Sequence, residues 1–208
     1  MKKSKDKKKK KKGKILFIII LIIVLCIGGF FGYTKFYKKN PDEVKIIKKI
    51  TKYNYKLGDN KSELYKKYFN ELEDVLENEE VDYEEYAKVA SKLFITDFYT
   101  LNNKKSKNDI GGLDFIKDSM KDNFIDQARN TFYRYIKINS KEQSLPEVSE
   151  VTNVSVEKTS FTYSDETIDE NAYKVSITWG YVEDLGYESE ANIILVKDDI
   201  KLYIVEMD

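Results

Sequence analysis

The stretch Tyr173–Tyr181, which reads YKVSITWGY, has the most regular alternation of apolar and polar residues in the chain. Its apolar side chains occupy every second position, so they line one face of an extended strand, while Lys174, Ser176 and Thr178 line the other. A strand of this kind is typical of a half-buried antiparallel sheet. The stretch therefore predicts a sheet with one face against a core and one face in water.

The same period of two recurs on both sides of this strand. Three further segments have it: Val154–Tyr163, Ala191–Leu195 and Lys201–Val205. Asp198-Asp199 separates the last two segments and predicts a hairpin, while Val154–Tyr163 predicts one long or bulged strand. The polar loops 164–171 and 182–186 are short, which favours antiparallel neighbours. The four strands are therefore expected to form a meander.

Upstream of the strands, the apolar period changes to that of a helix. Residues 61–77 carry an apolar stripe with a charged opposite face, which predicts a first helix. A second helix is predicted over 82–101, where the chain opens on a capping-box pattern. A third helical stretch covers 113–136 and is expected to break near Asp122. This order predicts an α+β domain, in which about three helices pack on a four-stranded curved antiparallel sheet.

An uncharged stretch near the N-terminus has the length of a membrane span. Ile15–Tyr33 holds nineteen residues without a charge, and a helix of that length measures about 28 Å, close to the thickness of the hydrocarbon layer. Ten lysines precede the stretch within residues 1–14, and three follow it closely. The positive-inside bias predicts a single-pass protein of the cell membrane, with a cytoplasmic N-terminus and an extracellular C-terminal domain.

The residues before the predicted span are basic, and those after it are acidic overall. The whole chain holds 36 basic and 36 acidic residues, but residues 1–14 carry a net charge of +9, so the remainder carries −9. The cytoplasmic polybasic tail is expected to bind anionic lipids of the inner leaflet. Residues 34–60 are interpreted as a juxtamembrane connector, a short helix or linker that becomes extended before Gly58, and 61–208 as the external domain. Because that domain is acidic, nucleic acid is excluded as its partner.

The composition excludes several classes of chemistry. The chain has no His and one Cys, which removes most nucleophile–base pairs, imidazole metal sites and any internal disulfide. No cofactor and no enzymatic activity are predicted. Asp109-Ile110-Gly111-Gly112 lacks the spacing of a phosphate loop, and the acidic pairs near 165, 169 and 198 match no calcium-loop order. These residues are interpreted as turns.

One carboxylate is expected inside the domain. At 100° per residue, Asp97 lies on the same side of the second helix as Phe94. A bare carboxylate there would lose roughly several kcal/mol to desolvation, so it must be paired, hydrogen-bonded, protonated or open to a cavity. The chain has two Arg beside 34 Lys. Arg129 flanks the apolar face of the third helix, so Asp97 and Arg129 are the predicted buried pair, with Arg134 less favoured and loop amides near Asn108 as an alternative.

The order of elements resembles the cone-shaped family named for nuclear transport factor two and ketosteroid isomerase, over about residues 60–208. The layout, with a short tail and one span, is similar to that of the bitopic scaffold subunits of type IV secretion and conjugation machines. The segment FITDFYTLNNKKSKNDIGG, Phe94–Gly112, resembles one found in single-span proteins of low-GC Gram-positive bacteria. These resemblances imply a protein of the bacterial envelope and transfer no catalytic motif to this chain.

Two functions remain open on the sequence. The first is a membrane-anchored, non-catalytic interaction or scaffold domain of a bacterial envelope assembly, with an envelope protein as its partner. The second is an external domain that binds a small apolar or cell-wall-derived molecule, with carboxylate acid–base chemistry. A core filled with side chains favours the first function, whereas an open pocket lined by Tyr and one desolvated carboxylate favours the second.

Overall fold

The computed structural model describes residues 44–134, 136 and 144–208. The predicted lysine tail, the predicted span at 15–33 and residues 34–43 of the connector lie outside the described residues. Within the described ranges, no helix is both long enough and apolar enough to cross a membrane. Lys45–Asp208 form one compact unit, so the folded domain begins before residue 61, where the sequence placed its start.

A β-hairpin occupies the described part of the segment interpreted as a connector. Its antiparallel strands are β1 Ile46–Ile50 and β2 Tyr55–Gly58. A single 3-10 turn joins them and ends at Asn54, which has a left-handed φ of 54°. Tyr53, Tyr55 and Leu57 are buried. The predicted extended segment before Gly58 is confirmed, since it is β2. The expected short helix is wrong over the described residues, because Ile46–Ile50 is already a strand that pairs with β2.

Three helices follow the hairpin, as predicted. They are α1 Glu63–Leu76, α2 Tyr83–Tyr99 and α3 Asp118–Asn130. The Ser62 hydroxyl caps α1 by accepting a hydrogen bond from the Tyr65 N–H. The Asp82 carboxylate caps α2 by accepting from the N–H groups of Glu84 and Glu85. Each cap satisfies amides that have no partner inside the helix, so it determines where the helix begins.

The third helical stretch divides earlier than predicted. A single 3-10 turn at 113–115 is followed by Ile116 in an extended conformation, and α3 begins at Asp118. The break therefore lies before Asp118 and not near Asp122. Ile116 leaves the helical conformation because it forms an isolated parallel bridge with Ile204 in the last strand.

Four strands form an antiparallel meander in chain order. They are β3 Val148–Thr162, β4 Ile168–Tyr181, β5 Glu190–Asp198 and β6 Lys201–Met207. β3 is the long, bulged strand that the sequence predicted, since its register with β4 shifts at three places. β4 begins at Ile168, so the loop before it is shorter than the predicted 164–171. The predicted α+β class, with three helices and a four-stranded antiparallel sheet, is confirmed.

The core lies between the helices and one face of the sheet. Val175, Ile177 and Trp179 of β4 are buried, as the alternation predicted. α2 is the central helix, because twelve of its seventeen residues are buried and it contacts both α1 and the sheet. Its C-terminal end is therefore a place where a polar side chain must find partners within the protein.

Candidate functional site

Asp97 lies in the last turn of α2, and only 7% of its surface is exposed. Its Oδ1 accepts a hydrogen bond from Lys104 Nζ at 2.8 Å. Its Oδ2 accepts from Lys61 Nζ at 2.6 Å and from the N–H of Gly112 at 2.8 Å. These four residues are called the Asp97 cluster. The prediction that Asp97 points into the domain is confirmed, and both of its oxygens are occupied by strong donors.

The charge state of Asp97 follows from these contacts. Burial on its own raises the pKa of Asp97, but the charges of Lys104 and Lys61, and the hydrogen bonds they donate, hold the pKa well below its ordinary value. Asp97 is therefore ionised at neutral pH. An ionised carboxylate whose oxygens already accept three hydrogen bonds is poorly placed to remove a proton from a substrate.

Arg129, the predicted partner of Asp97, forms its ion pair elsewhere. Its Nη1 donates to Asp126 Oδ1 at 2.9 Å, within α3. The predicted Asp97–Arg129 pair is wrong. Sequence reasoning missed Lys61, just before the α1 cap, and Lys104, in the loop after α2. It favoured the planar fork of Arg, whereas two separate lysines satisfy the two carboxylate oxygens equally well.

The Gly111-Gly112 pair lets the loop after α2 approach that helix closely. A Cβ at position 111 would stand 2.1 Å from the carbonyl oxygen of Asp97, and one at 112 would stand 2.6 Å from the ring of Phe94. Gly112 also has a φ of +77°, which favours glycine. The loop-amide alternative is therefore realised at Gly112 rather than near Asn108. Both glycines therefore allow the loop backbone to pack against α2 without a steric clash.

A second pair of ionisable groups adjoins the Asp97 cluster. Burial raises the pKa of Asp114, while the charges of Lys61 and Lys201 act in the opposite direction. Burial lowers the pKa of Lys201. The Nζ of Lys201 lies 4.1 Å from the centre of the Tyr55 ring and 5.2 Å from that of Tyr203. Lys201 of β6 thus contacts the Tyr55 ring of the hairpin, and its charge acts on Asp114 in the 3-10 turn at 113–115.

The face of the sheet that points away from the helices carries a row of uncharged polar side chains. Thr152 Oγ1 lies 2.8 Å from Thr178 Oγ1, and Asn153 Nδ2 donates to the same Thr178 oxygen at 3.1 Å. The Ser176 hydroxyl donates to Asn192 Oδ1 at 2.8 Å. These five residues are called the outer polar row. The row crosses three strands and its five side chains are uncharged, while Glu190 borders it opposite Thr178.

Two of the three acidic pairs interpreted as turns lie at turns. Asp165 accepts a hydrogen bond from the Thr167 N–H between β3 and β4, and Asp199, with a φ of 55°, turns the chain between β5 and β6. Asp169-Glu170 instead belongs to the start of β4. Among the described residues, no three His, Cys, Asp or Glu side chains are grouped as metal ligands.

Comparison of the chain with protein-family models, with curated proteins and with solved structures finds no match. Its function must therefore be argued from the domain's own surfaces and cavities.

Proposed function

We propose that this chain is a membrane-anchored, non-catalytic interaction domain of a bacterial envelope assembly. The observation that carries the proposal is the outer polar row. The centres of protein interfaces are depleted in charged residues. The five side chains of the row are uncharged, and charged residues such as Glu190 lie at its border. The helices cover the opposite face of the sheet, which leaves this face for an envelope protein.

The state of Asp97 supports this function over the alternative with carboxylate acid–base chemistry. That alternative needs a desolvated carboxylate that is open to a pocket. Lys61, Lys104 and the Gly112 amide occupy the oxygens of Asp97, so this carboxylate acts as a structural anion between α2 and its neighbours.

The anchor in this proposal is the predicted span at 15–33, with the lysine tail in the cytoplasm and the domain outside the cell. The resemblance in layout to bitopic scaffold subunits of secretion machines supports such a role. A protease added to intact cells is expected to degrade the chain after about residue 40 and to leave a small fragment with tail and span. Protection of the large domain would contradict the proposed topology.

A photo-crosslinking amino acid placed in the full chain tests the interaction surface in cells. Position 176 lies in the outer polar row, whereas Ser160 is also exposed, on β3, but lies outside it. Position 176 is expected to form a discrete adduct with an envelope protein identified by mass spectrometry, and position 160 is expected to form none. Equal labelling at both positions, or none at either, would contradict an interface at this face.

A further inference from the structure

A cleft of about 450 Å³ opens where the C-terminal end of α2 meets the loop between β4 and β5. Four aromatic rings, one carboxylate and one flexible thioether contribute to its walls: Phe98, Tyr99, Phe132, Tyr187, Glu188 and Met207. It is called the aromatic cleft. Its volume is in the range of cavities that hold small molecules or single side chains.

Three rings of the aromatic cleft, those of Tyr99, Phe132 and Tyr187, pack edge to face. The centres of Tyr99 and Phe132 are 4.9 Å apart, with their planes at 65°. Those of Phe132 and Tyr187 are 5.5 Å apart, with their planes at 80°. Successive edge-to-face pairs present ring surfaces in different directions. Tyr99 is buried beneath its neighbours, whereas Phe132 and Tyr187 are partly exposed, so a ligand in the cleft meets aromatic surface from these two rings.

The charge around the cleft has one sign. Tyr99 Oη donates to Glu188 Oε2 at 3.4 Å, and the pKa of Tyr99 is raised by burial and by the charge of Glu188. An adjoining depression of about 900 Å³ shares Tyr99, Glu188 and Met207 and adds Glu190 and Asp208. Among the described residues that line these two spaces there is no Lys or Arg, although the chain holds 34 lysines.

We infer that the aromatic cleft binds an alkylammonium cation. The ring faces attract a cation through their quadrupoles, and Glu188 supplies the opposite charge at the rim. An anion would meet Glu188 without a compensating base among the described lining residues, and a neutral apolar ligand would leave that carboxylate unused. The alkylammonium group belongs either to a small molecule with a quaternary head or to a lysine side chain of another protein. The depression beside the cleft is also lined by Asn153, Ser176, Thr178 and Asn192 of the outer polar row, so the cleft borders that row. The inference does not require the proposed scaffold role.

The single tryptophan of the chain reports on the cleft. The centre of the Trp179 ring lies 4.6 Å from that of Tyr99, so its fluorescence is expected to respond when the cleft fills. The full-length protein in an uncharged maltoside detergent is titrated with choline, with Nα-acetyl-lysinamide and with 3,3-dimethylbutan-1-ol, the neutral carbon analogue of choline. At least one cation is expected to give a saturable change, with the neutral analogue about tenfold weaker. If choline binds more tightly, the natural ligand is a small molecule with a quaternary head. If Nα-acetyl-lysinamide binds more tightly, it is a lysine side chain of another protein.

Variants separate the contribution of charge from that of the rings. Glu188→Gln is expected to weaken cation binding about fivefold, and higher salt should weaken binding to the wild type more than to this variant. Glu183→Gln is the matched control, since Glu183 is exposed in the same loop but lines neither space. Phe132→Leu is expected to weaken binding about tenfold.

Three outcomes would overturn the inference. They are equal binding of choline and its neutral analogue, unchanged cation binding in Glu188→Gln, and the absence of a saturable signal with both cations. Because the Glu188 side chain is exposed, its variant is expected to fold normally, so a null result there is decisive even where Phe132→Leu proves unstable.

Discussion

The Asp97 cluster and the aromatic cleft both lie at the C-terminal end of α2. Each contains one carboxylate, but Asp97 is buried and paired, whereas Glu188 is exposed. Asp97 and Tyr99 are two residues apart, so they project to nearly opposite sides of the helix. On one side, Asp97 is buried and two lysines of the same chain neutralise it. On the other, Glu188 remains exposed beside aromatic rings. A buried charge must find its partner during folding, whereas an exposed one stays available for a ligand.

Removing the buried carboxylate should have the largest effect. Asp97→Ala leaves Lys104, whose side chain is 5% exposed, without its counter-charge, so the free energy of unfolding is expected to fall by about 3 to 5 kcal/mol. Urea denaturation of the full-length protein measures this. Asp126→Ala, which breaks the exposed pair with Arg129, is the control and should cost about 0.5 kcal/mol or less.

A double variant shows whether the loss comes from the orphaned lysine. Adding Lys104→Met to Asp97→Ala should recover part of the stability, because the two effects are coupled. If Asp97→Ala alone proves neutral, the Asp97 cluster is not the buried anchor that its geometry indicates.

Acid should remove the same stabilisation. The pKa of Asp97 lies below its ordinary value of 3.8 in the folded protein, so between these values the unfolded chain binds more protons than the folded one. Stability from Asp97 is therefore fully present above about pH 5 and falls progressively as the pH drops through 4 and below. Asp97→Asn should lack this component, so its deficit relative to the wild type should shrink in acid. A deficit that stays constant with pH would argue against an ionised Asp97.

The glycine beside Asp97 offers a smaller and better-controlled test. Gly112→Ala introduces a Cβ 2.6 Å from the Phe94 ring at a φ of +77°, and is expected to cost about 2 to 4 kcal/mol from strain and overpacking. Gly186→Ala has nearly the same φ, +72°, but meets nothing within 4 Å. It should cost only the strain, about 1 kcal/mol. Equal melting temperatures of the two variants would show that the close approach to α2 carries no stability.

The smallest effect on folding is expected at the cleft. Glu188→Gln removes an exposed charge, so the free energy of unfolding should change by about 0.5 kcal/mol or less, in contrast to the change at Asp97. Thermal unfolding of Glu188→Gln and Asp97→Ala under the same conditions compares the two losses of stability. A loss at Glu188 as large as that of Asp97→Ala would assign the cleft carboxylate a structural role.

Local patterns predicted much of the fold, and the misses have a common origin. The alternation in β4 and the stripe of α2 depend on neighbours a few residues apart, so both were predicted correctly, including the inward direction of Asp97. The extended segment before Gly58 was predicted, but its partner strand at 46–50 was missed, because so short a segment becomes a paired strand only when the core of the domain covers it. The position of the break before α3 was wrong because it depends on the backbone bridge between Ile116 and Ile204, a residue far along the chain.

The sequence by itself determined the periods, and therefore the three helices, the four strands of the large sheet that follow them and the burial of Asp97. Only the tertiary structure decided which groups meet that carboxylate. Lys61 is 36 residues away from it and Lys104 follows α2 in a loop, so no helical or strand period links either to Asp97. The aromatic cleft likewise joins the end of α2 to the β4–β5 loop and β6. The hydrophobic period of a helix or strand gives the direction of a side chain relative to its own backbone. It does not say which distant segment the folded chain places beside that side chain.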